Sequence, residues 1–195
     1  MTTEPAKAEL PKSPNSLRLT LWVLLIVYIF NFLDRQIVNI LAEPISRDLG
    51  LSDTQIGLMT GIAFAAFYTF LGIPIARYAD RPKTNRVGLI SVSLIIWSGM
   101  TALCGVAQNF VQLLLARIGV GVGEAGCTPA AHSLIADLAP PEKRASAISF
   151  YSLGIPIGSL LGMVIGGLVA DAYGWRAAFL IAGLPGLALA ALVFL

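Results

Sequence analysis

Charge is scarce in this sequence. Asp, Glu, Lys and Arg make up 12% of the 195 residues, about half the share in an ordinary soluble domain. Hydrophobic residues reach 56% and the mean hydropathy is +0.79. A water-soluble core of this size cannot hide so much apolar surface, so a soluble fold is excluded and lipid is the expected solvent. The net charge of +2 excludes a strongly basic surface for nucleic acid. Only two cysteines occur, Cys104 and Cys127, both in apolar stretches without ligand spacing. They read as small buried hydrophobes rather than a disulfide or zinc site. There is one histidine, His132, and no metal or cofactor is expected. The N-terminus lacks a secretory signal: Met1 to Ser16 is polar, with Pro5, Pro11 and Pro14, and reads as a disordered cytoplasmic tail.

Long apolar runs fill the remainder, residues 17–195. Six spans are predicted, at about Leu17–Leu41, Thr54–Ala76, Val87–Ala107, Phe110–Asp137, Ala145–Ala170 and Trp175–Leu195. Polar connections separate them: Glu43–Asp53, a basic loop around Arg77–Arg86, Gln108-Asn109, the Pro140-Pro141 break and Asp171–Arg176. Gly57 and Gly61 in the second span, and Gly154, Gly158, Gly162 and Gly166 in the fifth, recur at helical spacing and predict close helix contacts. Trp22, Trp97 and Trp175 read as apolar or interfacial anchors.

Lys and Arg are distributed unevenly over the two sides. Lys7, Lys12 and Arg18, then Arg77, Arg81, Lys83 and Arg86, then Lys143 and Arg144 fall on the N-terminal side; only Arg47 and Arg176 fall on the other. This bias places the N-terminus in the cytoplasm, and the expected location is a bacterial inner membrane as a multi-pass protein. The two remaining arginines, Arg35 and Arg117, lie inside spans.

These interior charges matter most. A charge near the bilayer centre costs about 2.5–3.5 kcal/mol on insertion scales and normally faces a bundle interior or a water-filled path. Arg117 and Glu124 are seven residues apart in the fourth span, so they leave one helix on nearly the same face, about 10 Å apart in depth. In the first span, Tyr28, Asn31, Arg35 and Asn39 form a polar stripe with Asp34 beside it. Alternating topology brings Asp34 to the level of Arg117 and allows Arg35 to reach toward Glu124, so the first and fourth spans are expected to pack together. Gly121 to Gly126 also matches the G-x-G-x-x-G dinucleotide fingerprint, but no alternating strands and amphipathic helices flank it. An enzyme is therefore not expected, and those glycines read as thinning a membrane helix.

NFLDR in the first span, ADR in the second-to-third loop, LLLARIGVGVGEA and SLIADL in the fourth, and IPIGS in the fifth together resemble the N-terminal half of a major facilitator superfamily transporter, in particular its Spinster-like branch. That resemblance implies an all-α membrane fold, a six-helix half-bundle, with the partnering C-terminal half not present in this chain. It implies an alternating-access carrier, proton-coupled, moving an amphipathic lysolipid or sphingoid-type lipid. The alternatives are a proton-coupled carrier of a small organic anion and a six-span oligomeric channel. Asp34 and Glu124 are the expected proton carriers. Arg35, Arg117, Tyr28 and Asn31 are expected to pair charge or meet substrate, and Asp80, Arg81 and Arg86 to form a cytoplasmic gate loop. In that loop Ala76 stands where the family motif has glycine, and Pro82 to Asn85 intervene before Arg86.

Overall fold

A computed structural model describes residues 14–194 as helices joined by short turns, with no strand among them. Residues 1–13 of the expected tail lie outside the described residues, whereas Pro14 to Ser16 already belong to the first helix. The elements are α1 (Pro14–Leu49), α2 (Asp53–Gly57), a π-helical turn (Leu58–Ile62), α3 (Ala63–Ala79), α4 (Arg86–Cys104), α5 (Phe110–Glu124), α6 (Cys127–Leu138), α7 (Pro141–Ser152) and α8 (Gly154–Phe194). Among the described residues five stretches are long and apolar enough to cross a membrane, and the last, Pro141–Val193, spans 53 residues.

That last stretch contains two passes. Gly174 has φ 83° and ψ 165°, a conformation open to glycine and outside any helix. Before it, Gly154, Gly158, Gly162 and Gly166 run beside Tyr28, Ile29, Leu33 and Ile37 of α1 in the same order. After it, Arg176, Gly183 and Gly186 run against Gly105, Ala102 and Ser98 of α4 in reverse order. Asp48 at the end of α1 and Ala107 just beyond α4 both bond Arg176, so α1 and α4 point the same way and the chain turns back at Gly174. Six passes result.

Three expectations need correction. The polar loop expected at Glu43–Asp53 is mostly helix: α1 continues through Pro44 to Leu49 and stops where Gly50 takes φ 64°. Leu41 and Ile45 are fully buried there, while Glu43 and Arg47 pair on the outside. The extension is amphipathic, and its polar outer half gives the sequence the look of a loop. Next, Gly57 and Gly61 make no close approach within this chain, since a Cβ added at either would meet nothing within 4 Å. Finally, the fourth and fifth passes are each interrupted. The fourth breaks at Ala125-Gly126, and the fifth at Leu153, three residues before Pro156, which thereby falls in a first turn where its missing N–H costs little.

The expected glycine ladder of the fifth pass is a helix contact. A Cβ at Gly158 would lie 2.3 Å from the Ile29 carbonyl oxygen, and one at Gly162 would lie 2.7 Å from that of Leu33. Helix starts are capped as their sequences dictate. Ser52 and Gln55 form a reciprocal capping box, and Asn85 and Asn109 accept from the N–H groups of Gly88 and Gln112. The bundle interior holds Trp97, Tyr151 and Phe179, all essentially inaccessible. Trp97 is thus a core residue. Trp22 is exposed and Trp175 is buried near a helix start.

Candidate functional site: paired charges between the first and fourth passes

The site is built where α1, α3 and α5 meet. Gly121 and Gly123 let α5 close on α3 and α4: added Cβ atoms would meet the Phe64 carbonyl oxygen at 3.1 Å and the Trp97 backbone nitrogen at 2.5 Å. With Gly126 against Ser93 Oγ, the fingerprint-like glycines serve helix packing. Four ionisable side chains then come together. Arg35 Nε donates to Glu124 Oε2 at 2.6 Å, and Arg117 Nη1 lies 3.7 Å from Asp34 Oδ2. Both cross-helix pairings anticipated from depth alone are present.

The two pairs differ in exposure. Arg117 and Asp34 are both nearly inaccessible, at 2% and 4% of their side-chain surface. Glu124 is at 0%, but Arg35 keeps 27%. Arg35 is therefore the one member of the cluster that reaches the open face of the half-bundle, and its counter-ion is hidden behind it. Glu124 Oε1, both Asp34 oxygens, and Nε and Nη1 of Arg117 are buried without a well-formed hydrogen bond among the described residues. Thr101 faces the Asp34 carboxylate, and its hydroxyl is unpaired in the same sense, as are both amide atoms of Asn31. Buried polar groups are normally satisfied; so many unsatisfied ones in one cluster mark a site arranged for something other than stability.

Aromatic rings surround the arginines. The Arg35 guanidinium carbon lies 5.3 Å from the ring centres of Phe32 and Phe64 and 4.8 Å from that of Tyr68. The Arg117 guanidinium lies 5.5 Å from the same Phe64 ring. Sequence reasoning missed these rings; the signal available was the i,i+4 spacing of Phe64 and Tyr68. Of the other expected site residues, Tyr28 lies one to two turns from the cluster, stacked on Tyr151 at 4.1 Å and buried. Asn31 is buried beside the cluster at 1% exposure, not on an open wall. His132 is exposed, with its ring 5.5 Å from Tyr151.

Asp80, Arg81 and Arg86 gather at the other end of α3. Arg86 donates to Asp137 at 2.6 Å, Ser133 at 2.8 Å and the Ala79 carbonyl at 3.1 Å, tying the second-to-third turn to the fourth pass. Asp137 was missed as its partner. Asp80 follows α3 and is exposed, and Arg81 sits 5.7 Å from the Tyr78 ring. At the opposite end Asp48 accepts from Arg176 at 2.6 Å and Trp175 at 3.2 Å. A cleft of about 620 Å³ opens near there, between Ile40 to Asp48 and Gly167 to Asp171, apart from the charged cluster.

Six apolar passes enclosing buried ion pairs form a half-bundle of the kind found in polytopic membrane transporters. The chain belongs to the Major Facilitator Superfamily, whose family model matches residues 24–195. A solved bacterial homologue of the human lysosomal transporter Spinster, in an inward-facing conformation, superposes with a TM-score of 0.86 at 40% identity, covering 93% of this chain and 43% of that one. Among curated relatives, an efflux pump of the superfamily from Mycolicibacterium smegmatis is 43% identical over 89% of this chain. A hexuronate transporter from Bacillus subtilis is 32% identical over 85%, and a sphingosine-1-phosphate transporter from Danio rerio 28% over 86%. The chain spans only 40%, 39% and 33% of those relatives.

Proposed function

We propose that this chain is the N-terminal half of a proton-coupled, alternating-access carrier whose substrate is an amphipathic lysolipid or sphingoid-type lipid with an anionic head. The observation that carries this reading is the exposure of Arg35 at 27% against a wholly buried Glu124. A guanidinium on the open face can hold a phosphate or carboxylate. While Glu124 is ionised it competes for that guanidinium. When Glu124 takes a proton the competition ends, and Arg35 is available to an anion. Proton and anion are thereby loaded together. Asp34 and Arg117 form the drier second pair, with Asp34 as a second proton carrier. A C-terminal half of the same protein supplies the facing wall of the cavity. The long apolar walls flanking one charged level suit a lipid tail, and the relative named for sphingosine-1-phosphate supports a lipid cargo.

The relative named for hexuronate favours the second reading, a small organic anion bound at the same arginine. In either case the basic loops face the cytoplasm, which puts the N-terminus there. Arg86, bonded to Asp137, and Asp80 and Arg81 form the gate loop on that side, and the membrane is a bacterial inner membrane. The test is a flux assay in liposomes on the full-length protein, with lysophosphatidate and hexuronate offered separately under an imposed pH gradient. Uptake driven by the gradient in wild type, and gradient-independent or absent in Glu124→Gln and Asp34→Asn variants that still purify as folded protein, is the expected result. Wild-type pH dependence in both variants would overturn the coupling.

A further inference from the structure

The rings around Arg35 supply no counter-charge, yet they crowd the guanidinium. A guanidinium presents two flat faces and an edge of N–H groups. Phe32 comes from α1, and Phe64 and Tyr68 come from α3, stacked on each other at 5.8 Å with 16° between ring planes. All three ring centres lie within 5.3 Å of the guanidinium carbon, inside cation–π range. Glu124 engages Nε. The two Nη groups make no hydrogen bond of full geometry among the described residues, although the Tyr68 hydroxyl is close enough to interact with the side chain. Phe64 also stands against Arg117, and its backbone is held by Gly121, so its position is set by α5 as well as by its own helix. The π-helical turn at Leu58–Ile62 comes immediately before α3, and a turn of that kind shifts the register of the residues that follow.

We infer that Phe64 and Tyr68 are positioning residues that set headgroup specificity, by holding the Arg35 guanidinium so that a ligand meets it along its Nη edge. This rests on the carrier reading above. Two oxygens on one atom, as in a phosphate monoester or a carboxylate, match that edge with paired hydrogen bonds. An uncharged alcohol head matches it poorly, and an ammonium head is repelled. Phe64, lying against both guanidinium groups, also keeps Arg117 with Asp34 while Arg35 exchanges partners.

The experiment measures binding rather than flux, so that it survives failure of the coupling hypothesis. Full-length protein in nanodiscs is titrated with three probes of equal chain length: oleoyl lysophosphatidate, monooleoylglycerol and oleylamine. Wild type is expected to bind the phosphate at least about tenfold tighter than the alcohol, with the amine weakest. Tyr68→Leu and Phe64→Leu are expected to bring the phosphate-to-alcohol ratio to within about threefold of unity, and Tyr68→Phe to preserve it. Tyr68 is only partly buried, so Tyr68→Leu serves if Phe64→Leu does not fold. A ratio unchanged in the Leu variants, or an amine bound as tightly as the phosphate, would overturn the inference. A preserved ratio in Glu124→Gln protein that no longer couples to pH would separate the two hypotheses.

Discussion

Arg35 and Arg117 carry the same charge and sit against the same ring, yet their surroundings differ. Arg117 is enclosed with Asp34; Arg35 is mostly buried but keeps 27% of its side-chain surface on the open face. Removing one partner of a buried pair leaves an uncompensated charge and typically costs about 3–5 kcal/mol. Arg117→Met is therefore expected to lower thermal stability markedly, whereas Arg117→Met combined with Asp34→Leu should recover much of it. A melting series on the single and double variants checks this, and no recovery in the double variant would argue against an isolated pair. For Arg35 the expected loss is in function. Arg35→Lys keeps the charge but loses the fork, so substrate affinity should fall about tenfold or more while the protein stays folded. Unchanged affinity would leave Arg35 as a mere neutraliser of Glu124.

Among the elements, the contrast between two sets of glycines is informative. Gly158 and Gly162 sit on carbonyl oxygens of α1 with no room for a methyl group, while Gly57 has open space around it. Overpacking a tight contact costs about 1–3 kcal/mol. Gly158→Ala should accordingly separate the first and fifth passes and lower the melting temperature. Gly57→Ala should be neutral or raise helix stability by up to about 1 kcal/mol, if the facing half of the protein leaves the same space. Identical melting curves for the two variants would mean that the ladder is not a contact that matters. Spacing alone could not separate these glycines, because a four-residue repeat says that a smooth face exists but not what meets it. Conversely, the Leu41, Ile45 and Leu49 spacing of the α1 extension was visible, and Glu43, Arg47 and Asp48 obscured it.

For the whole molecule, the two ends of the bundle are closed by different ties. Arg86 joins the Ala79 carbonyl, Ser133 and Asp137 at one end, and Asp48 joins Trp175 and Arg176 at the other. The Arg86 tie links the second, third and fourth passes and the Asp48 tie links the first and sixth, and each involves exposed partners, so each ion pair is worth only about 0–1 kcal/mol in stability. Their larger effect is on register. The proposed orientation assigns the Arg86 end to the cytoplasm. With Cys104 and Cys127 buried, single cysteines placed at Lys83 and at Asp171 provide the check. In right-side-out vesicles an impermeant thiol reagent should label the Asp171 position and spare the Lys83 position. The reverse pattern would invert the proposed topology.

Composition and patterning determined by themselves that the chain is helical and membrane-embedded, that it crosses six times, and that Asp34 lies near the level of Arg117 with Arg35 able to reach toward Glu124. Those properties follow from lengths, repeat periods and rise per residue, all of which are local. Packing alone decided which arginine faces outward, that Asn31 is buried without a partner, that Asp137 holds Arg86, and that Phe64 touches two guanidinium groups at once. Such features depend on the rotation of each helix about its axis and on contacts between residues far apart in the chain, and an apolar run in lipid carries little information on either.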